Sequence, residues 1–251
     1  MSERIPTNLR VLRILEVLGL SDRPMTPTEI NRELGLPKQT IHRLCTTLEN
    51  EGYLVRETNG KRYQPSGRVK NIAAGILYNS RSQIATRQVL IGVAAAIKET
   101  VNLVIPEDNG MMYLDRIETD WAFRIQLPVG SQVPFHCTAS GKTFLASMTR
   151  SARERVVSGL VLESHTPNTF VDRERLLLEL AKIAKQGYAI DNEEFMQGMV
   201  ALAVPILDSR SRYCAALAFH GPTQRLSMEH LLSKRQLLKT ASEQLSQTLF
   251  R

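Results

Sequence analysis

The sequence has few of the residues that build cross-linked or membrane-bound folds. Its 251 residues include only three cysteines, Cys45, Cys137 and Cys214, which lie far apart. This odd, scattered set excludes a disulfide scaffold or a zinc ribbon and favours a reducing compartment. No run approaches the ~18 uncharged apolar residues that span a bilayer, and the polar start MSERIPTNLR lacks the apolar core of a secretory leader. We therefore expect a cytoplasmic protein with no membrane partner.

The short motifs of common enzyme classes are also missing. The sequence has no Gly-x-Ser-x-Gly elbow and no His-Glu-x-x-His helix, and its five histidines show no metal-ligand spacing. Gly141-Lys142-Thr143 matches the end of a phosphate-binding loop, but His136 stands where that loop requires its first glycine. His136 and Cys137 would point to opposite faces of a strand. We therefore predict no catalytic residue, no metal and no cofactor.

Positive charge is concentrated in one short part of the chain. The formal net charge is +7, and residues 37–70 alone hold seven Lys or Arg against three Glu. Residues 1–36 are balanced, and the long remainder is nearly so. A compact basic region indicates a polyanionic partner, although charge alone is equally compatible with a solvated surface.

The first fifty residues predict three helices. One is expected after Thr7 as its cap, and a second after the capping-box sequence Thr26-Pro27-Thr28-Glu29, ending at Gly35. A third should run from Pro37 to about Asn50. A tight turn between the second and third helices is typical of a helix-turn-helix.

The segment that follows predicts a β-hairpin. Tyr53-Leu54-Val55 and Arg62-Tyr63-Gln64 are the expected strands, and Asn59-Gly60 is the strongest two-residue hairpin signal. A hairpin after the third helix makes residues 1–66 a winged helix-turn-helix domain.

The polar face of the third helix and the wing turn are the predicted DNA-binding surface. Long donors and small hydroxyls near a helix N-terminus suit base edges and phosphates in a major groove, and wing cations suit phosphates or the minor groove. A winged helix used for protein contacts is the alternative. The predicted residues are Lys38, Gln39, Thr40, His42, Arg43, Lys61 and Arg62.

The remainder of the chain predicts a second, larger domain. Helical stretches at about 68–80 and 82–98 could be connectors or a dimer surface. Antiparallel hairpins with helices collected elsewhere then indicate an α+β domain, with 67–85 as a linker helix and 86–251 as the domain itself. The expected strands are 101–105, 111–114, 123–127, 200–207 and 213–219, and the expected helices are 141–158, 172–186 and one from Ser227 to the end.

Several blocks of this sequence resemble IclR-type transcription regulators. Pro134–Ala146 is similar to the family signature Pro-x-His-x-Thr/Ser-Ala-x-Gly-Lys-Ala, and Gly187–Gly198 and Gly221-Pro222 resemble two later blocks. Gly35–Lys38 and Leu48–Leu54 resemble the family's winged helix. The blocks cover nearly the whole chain in the expected order.

The resemblance implies a winged helix joined by a helical linker to a GAF-like antiparallel-sheet domain that binds an effector. It further implies a homodimer or homotetramer, most often a repressor, acting on a pseudo-palindromic site in double-stranded DNA. The implied effector is a small organic acid or an aromatic compound. A small-molecule enzyme built on the C-terminal domain and a constitutive DNA binder without ligand are the alternatives.

The resemblance also supplies candidate pocket residues, with backbone N–H groups at Ala139 and Ser140 expected to meet an anion. The effector-binding candidates are Ala139, Ser140, Asp191, Ala201, Ala218 and His220. The pocket-wall candidates are Trp121, Phe123, Ile125 and Val133. Thr138 adds a nearby hydroxyl.

Three candidates depart from the family, because Ala201 replaces a cysteine of some members and Ala218 and His220 replace serines. The predicted pocket therefore has fewer hydroxyls and one new titratable group. A capping role for Asp191 and a structural role for His220 are the alternatives. Lys142 is expected to snorkel from its helix, outside the site.

Overall fold

The computed structural model describes residues 5–21, 23–57, 60–79, 81–122 and 127–249, with the backbone alone at 74–79 and 81–83. The chain divides into two compact units, Met1–Ile76 and Leu77–Arg251. Within the described ranges, no helix is both long enough and apolar enough to cross a membrane.

The N-terminal unit is a three-helix core with a short hairpin. Its elements are α1 (Arg10–Gly19), α2 (Pro27–Leu34), α3 (Lys38–Asn50), β1 (Leu54–Arg56) and β2 (Tyr63–Pro65), and the boundary between the two units falls within α4 (Gly67–Asn79). One apolar cluster, which includes Ile14, Ile30, Ile41 and Leu54, unites the helices and the hairpin. β1 and β2 pair antiparallel. This arrangement confirms the predicted winged helix-turn-helix.

Hydrogen bonds and backbone conformation at the two ends of α2 explain why the sequence predicted this helix correctly. The Thr26 hydroxyl accepts from the Glu29 N–H at 3.2 Å, and the Glu29 carboxylate accepts from the Thr26 N–H at 2.7 Å. The Thr26 hydroxyl also donates to this carboxylate at 2.9 Å. The two hydrogen bonds that the carboxylate accepts from Thr26 are the main cause that lowers the pKa of Glu29 to about 2. Gly35 ends the helix with a φ of 62°, in the left-handed region. The prediction for Thr7 was wrong, because Thr7 opens a 3-10 turn and α1 has no side-chain cap.

The C-terminal unit contains one antiparallel sheet and six helices within the described residues. The strands are β3 (Thr100–Pro106), β4 (Met111–Ile117), β5 (Gln132–Val133), β6 (Ala189–Asn192), β7 (Met199–Leu207) and β8 (Tyr213–Pro222). The helices are α5 (Arg81–Ile97), α6 (Ala139–Ser147), α7 (Arg150–Gly159), α8 (Arg173–Gln186), α9 (Met228–Ser233) and α10 (Arg235–Leu249). The strand order is β5-β4-β3-β8-β7-β6.

The two faces of this sheet carry different side chains. Because side chains alternate along a strand, β7 presents Leu202 to one face and Ala203 to the other. The larger residues pack with α5, α9 and α10, whereas the alanines, including Ala216 and Ala218, pack with α6 and α8. Small residues on the second face allow α6 to approach the sheet closely.

Several predicted elements differ from the observed ones. The expected helix 141–158 is two helices, because Met148 and Thr149 are extended and Thr149 caps α7. The final helix is divided at Lys234. β5 and β6 were not predicted. For the expected strand 123–127, Leu127 is not in a strand and the other four residues lie outside the described ranges.

Candidate functional site

The outer face of α3 is polar and cationic, and most of its side chains are exposed to solvent. Lys38, Gln39, His42 and Arg43 are exposed, and Thr40 is half-buried. Among the residues that the structure describes, none forms an ion pair or a hydrogen bond with the side chain of Lys38, Gln39 or Arg43. The opposite face is the apolar stripe that anchors the helix in the core. The predicted DNA-binding side chains of α3 are therefore available to a partner.

The two predicted cations of the wing behave differently. Lys61 is exposed, whereas Arg62 is half-buried, 2.8 Å from the Glu29 carboxylate and 3.0 Å from the Pro24 carbonyl oxygen. Arg62 therefore holds the wing against the start of α2, and its predicted contact with DNA stays a prediction. Asn59 of the predicted turn lies outside the described residues.

The six effector-binding candidates converge on one small cavity in the C-terminal unit. They lie on α6, β6, β7 and β8, which are distant in sequence. The cavity of about 40 Å³ has room for only a few water molecules. The other residues lining it are Asn102, Tyr113, Thr138, Phe195, Met196, Met199, Val200 and Phe219.

The N-terminus of α6 forms one end of this cavity. Thr138 caps the helix by accepting from the Gly141 N–H at 3.1 Å, and its hydroxyl donates to the Pro134 carbonyl oxygen at 2.7 Å. Within the described residues, the N–H groups of Ala139 and Ser140 have no acceptor. Free amides and the helix dipole together favour an anion at this end.

Asp191 combines a capping role with a place in the cavity wall. Its Oδ1 accepts from the N–H groups of Glu194 at 2.7 Å and Phe195 at 3.3 Å. Burial, followed by the nearby Glu194 carboxylate, raises the pKa of Asp191 to about 7, although these hydrogen bonds and Lys142 act to lower it. The carboxyl is therefore half-protonated near neutral pH.

A buried hydrogen-bond chain fixes the proton of His220. The guanidinium of Arg116 can only donate, and it lies 3.2 Å from Asn102 Oδ1. The Asn102 amide nitrogen therefore faces His220 Nδ1, at 3.1 Å, and donates to it. Burial, followed by the charge of Arg116, lowers the pKa of His220 to about 3, so the ring is neutral. Its proton then lies on Nε2, which has no hydrogen-bond partner among the described residues.

Lys142 does not snorkel, contrary to expectation. Its side chain is 1% exposed, and Nζ lies 2.5 Å from Glu194 Oε1. Burial raises the pKa of Glu194, and Lys142 opposes that rise. Lys142 is therefore an internal support that links α6 to the segment after β6.

Two of the four predicted pocket walls, Val133 and Trp121, are not among the residues that line the cavity. Val133 is buried in the core on the α6 side and pairs with Met111. Trp121 is 49% exposed, and its Nε1 donates to the Lys98 carbonyl oxygen at 3.1 Å. Phe123 and Ile125 lie outside the described residues. Tyr113 and Asn102 line the cavity instead, placed there by strand pairing rather than by a sequence motif.

The N-terminal unit is a winged helix with a free cationic face, and the C-terminal unit has an internal polar cavity. These two features define a class of protein, the DNA-binding regulators that carry their own sensor domain. The family model described as the IclR helix-turn-helix domain matches residues 9–58, and the bacterial transcriptional regulator IclR C-terminal model matches residues 78–247. The chain belongs to the IclR family of bacterial transcriptional regulators.

Relatives of known name cover nearly the whole chain. The chain is 37% identical over 240 residues to the probable transcriptional regulator SauR of Cupriavidus necator, covering 96% of this chain and 95% of that protein. It is 28% identical over 221 residues to the transcriptional repressor IclR of Escherichia coli, covering 87% and 80%. These matches confirm the predicted family and its role in transcription regulation.

A solved structure supports the fold and the sensor domain. An IclR homolog from Microbacterium hydrocarbonoxydans, complexed with 4-hydroxybenzoate, has a TM-score of 0.58 and 26% sequence identity, covering 96% of this chain and 98% of that one. The predicted α+β class is thereby confirmed.

Proposed function

We propose that this protein is a cytoplasmic, ligand-responsive repressor that binds a pseudo-palindromic operator as a homodimer or homotetramer. Its effector is a small organic acid or aromatic acid held in the C-terminal cavity. The observation that carries this proposal is the convergence of six separate candidate positions on one cavity with unused hydrogen-bond donors. The name of the Escherichia coli relative and the 4-hydroxybenzoate bound to the Microbacterium homolog support the repressor and acid assignments.

On the DNA side, two copies of α3 enter successive major grooves, as in other helix-turn-helix dimers. We assign base contacts to Gln39, Thr40 and Arg43. We assign phosphate contacts to Lys38 and Lys61, because both are exposed cations. His42 lies on the same exposed surface.

Removing positive charge from α3 should weaken DNA binding in two distinguishable ways. Lys38→Ala should weaken binding to every duplex and lower the slope of log K against log salt by about one, because one phosphate contact is lost. Arg43→Ala should cost about 1–3 kcal/mol more on the operator than on random duplex. Fluorescence anisotropy at several salt concentrations measures both effects, with an operator selected from random duplexes.

Arg13→Ala is the matched control, since Arg13 is an exposed arginine on α1 that pairs with Glu16. It removes the same charge and should leave the salt slope unchanged. Wild-type affinity that does not vary with salt would contradict the DNA-binding surface. If Arg43→Ala loses the same binding free energy on the operator and on random duplex, Arg43 contacts a phosphate and not a base.

On the effector side, the cavity offers complementary groups to an acid with a second polar atom. The N–H groups of Ala139 and Ser140 face the carboxylate, and His220 Nε2–H donates to a second acceptor such as a hydroxyl or keto oxygen. Phe195, Met196 and other apolar residues enclose the body of the ligand. Regulation then requires only that the ligand binds one arrangement of the protein better than another.

The first test is a screen of small organic and aromatic acids, with 4-hydroxybenzoate included. A true effector should raise the melting temperature by mass action and release the operator, with no product formed. Product formation would favour an enzyme. No response across the panel, with operator binding intact, would favour a constitutive DNA binder.

Effector affinity should depend on pH through Asp191. Its carboxyl is mostly protonated at pH 6 and mostly charged at pH 8, so an anionic ligand should bind about tenfold more weakly at pH 8. Asp191→Asn keeps the Oδ1 acceptor and should abolish this dependence. Calorimetry at both pH values measures it.

Asp120→Asn, an exposed substitution, should retain the wild-type profile. If the pH dependence persists in Asp191→Asn, the titrating group is Glu194 instead. Burial also raises the pKa of Glu194.

A further inference from the structure

Two imidazoles and one thiol form a cluster outside the effector cavity. One ring nitrogen each of His136 and His165 and the Cys137 Sγ lie within 4.8 Å of one another. His136 and Cys137 are buried, whereas His165 is exposed and leaves a path from solvent. None of the three lines the effector cavity.

The backbone explains how neighbouring residues reach the same point. The segment 134–138 is a bend leading into α6, not a strand, so His136 and Cys137 are not forced to opposite faces. His165 comes from the connection between α7 and α8. The sequence shows no ligand spacing because this third residue is distant along the chain.

His136 is held in a form suited to binding a cation. Its Nε2 lies 2.9 Å from the Glu163 carbonyl oxygen. A carbonyl can only accept, so Nε2 carries the proton. In a neutral imidazole the other ring nitrogen then has a lone pair that can bind a cation. Metal-binding histidines usually have this support, with the second ring nitrogen donating to a carbonyl or carboxylate.

We propose that His136, Cys137 and His165 bind a divalent cation of the zinc class. Imidazole and thiolate are the ligands that zinc prefers, and three protein ligands with one water complete a tetrahedral site. Bond lengths of about 2.1 Å to nitrogen and 2.3 Å to sulfur require the ligand atoms to lie roughly 3.5 Å apart. The exposed His165 side chain can close that gap by rotation. As the sulfur–metal bond forms, the Cys137 thiol releases its proton to solvent.

The cluster adjoins the effector cavity without belonging to it. Cys137 directly precedes Thr138, and the ring of His165 lies 5.6 Å from that of Phe195, centroid to centroid. Thr138 and Phe195 both line the cavity. A cation at this point would join the start of α6 to the segment that carries His165.

Cobalt titration tests the site directly. The reduced, full-length protein is freed of metal with a chelator and titrated with Co²⁺. A sulfur-to-cobalt charge-transfer band and the visible bands of tetrahedral Co²⁺ should appear together, saturate at one cation per chain, and disappear on addition of Zn²⁺. Absence of the charge-transfer band in the wild-type protein would overturn the proposal.

Three variants identify the ligands. Cys137→Ser should lose the charge-transfer band, whereas Cys214→Ser should keep it. His165→Ala should weaken Co²⁺ binding by at least about tenfold, and because His165 is exposed this variant should fold even where Cys137→Ser does not. A band that survives Cys137→Ser, or unchanged affinity in folded His165→Ala, would assign the metal elsewhere. Effector binding plays no part in these readouts, so they are independent of the proposed function.

Discussion

Replacing Gly141 by alanine should destabilise the C-terminal unit by at least about 3 kcal/mol, the upper part of the range for overpacked sites. A Cβ on Gly141 would lie 2.3 Å from the Phe135 carbonyl oxygen and 2.5 Å from the Phe135 Cα. These are backbone atoms of the bend that leads into α6, and they cannot move aside as a flexible side chain would. The clash outweighs the helix propensity of about 1 kcal/mol that alanine gains over glycine.

Urea denaturation followed by circular dichroism measures this loss. Gly92→Ala is the matched control, because Gly92 lies inside α5 and a Cβ there meets nothing within 4 Å. That substitution should be neutral or slightly stabilising. Similar stabilities for the Gly141 and Gly92 variants would show that α6 does not press on the bend.

Lys142→Met should destabilise the same unit by about 3–5 kcal/mol, because removing one member of a buried ion pair leaves the other charge without its partner. The charge that loses its partner is that of Glu194, whose Oε2 already has no hydrogen-bond partner among the described residues. The effect should shrink at acidic pH. In the variant the folded state holds the Glu194 proton more tightly than the unfolded state, so stability falls as pH rises.

A second substitution separates charge from packing. Lys142→Met combined with Glu194→Gln removes both charges and keeps an acceptor for the Asn192 N–H, so it should recover most of the lost stability. Arg150→Met breaks the exposed pair with Glu154 and should change little. If the double variant is as unstable as Lys142→Met alone, packing around Lys142 rather than charge holds α6 in place.

The N-terminal unit was largely predictable because its signals are local. The Thr26–Glu29 capping box, the left-handed Gly35 and the apolar stripe of α3 each act within a few residues. The ion pair of Arg62 was not predicted, for the opposite reason. Its partner Glu29 lies far along the chain, and no spacing rule connects them.

The cavity was predictable only in part. The motif at residues 134–146 predicted Ala139 and Ser140 as pocket residues, and the family block at Gly187–Gly198 predicted Asp191. Asn102 and Tyr113 enter the cavity through the pairing of β3 with β4 and β8, which depends on strand register. Register and strand order are tertiary properties, so the sequence pattern identified these strands without showing what their side chains face.

The small volume of the cavity has a mechanical consequence for any regulator built this way. An aromatic acid is larger than a few water molecules, so binding one here requires the cavity to widen by some separation of its walls. Part of the favourable contact energy is consumed by that separation, and the measured affinity is correspondingly weaker than the contacts alone would give. A bound metabolite therefore shifts the protein toward the widened state only by its difference in affinity for the two states.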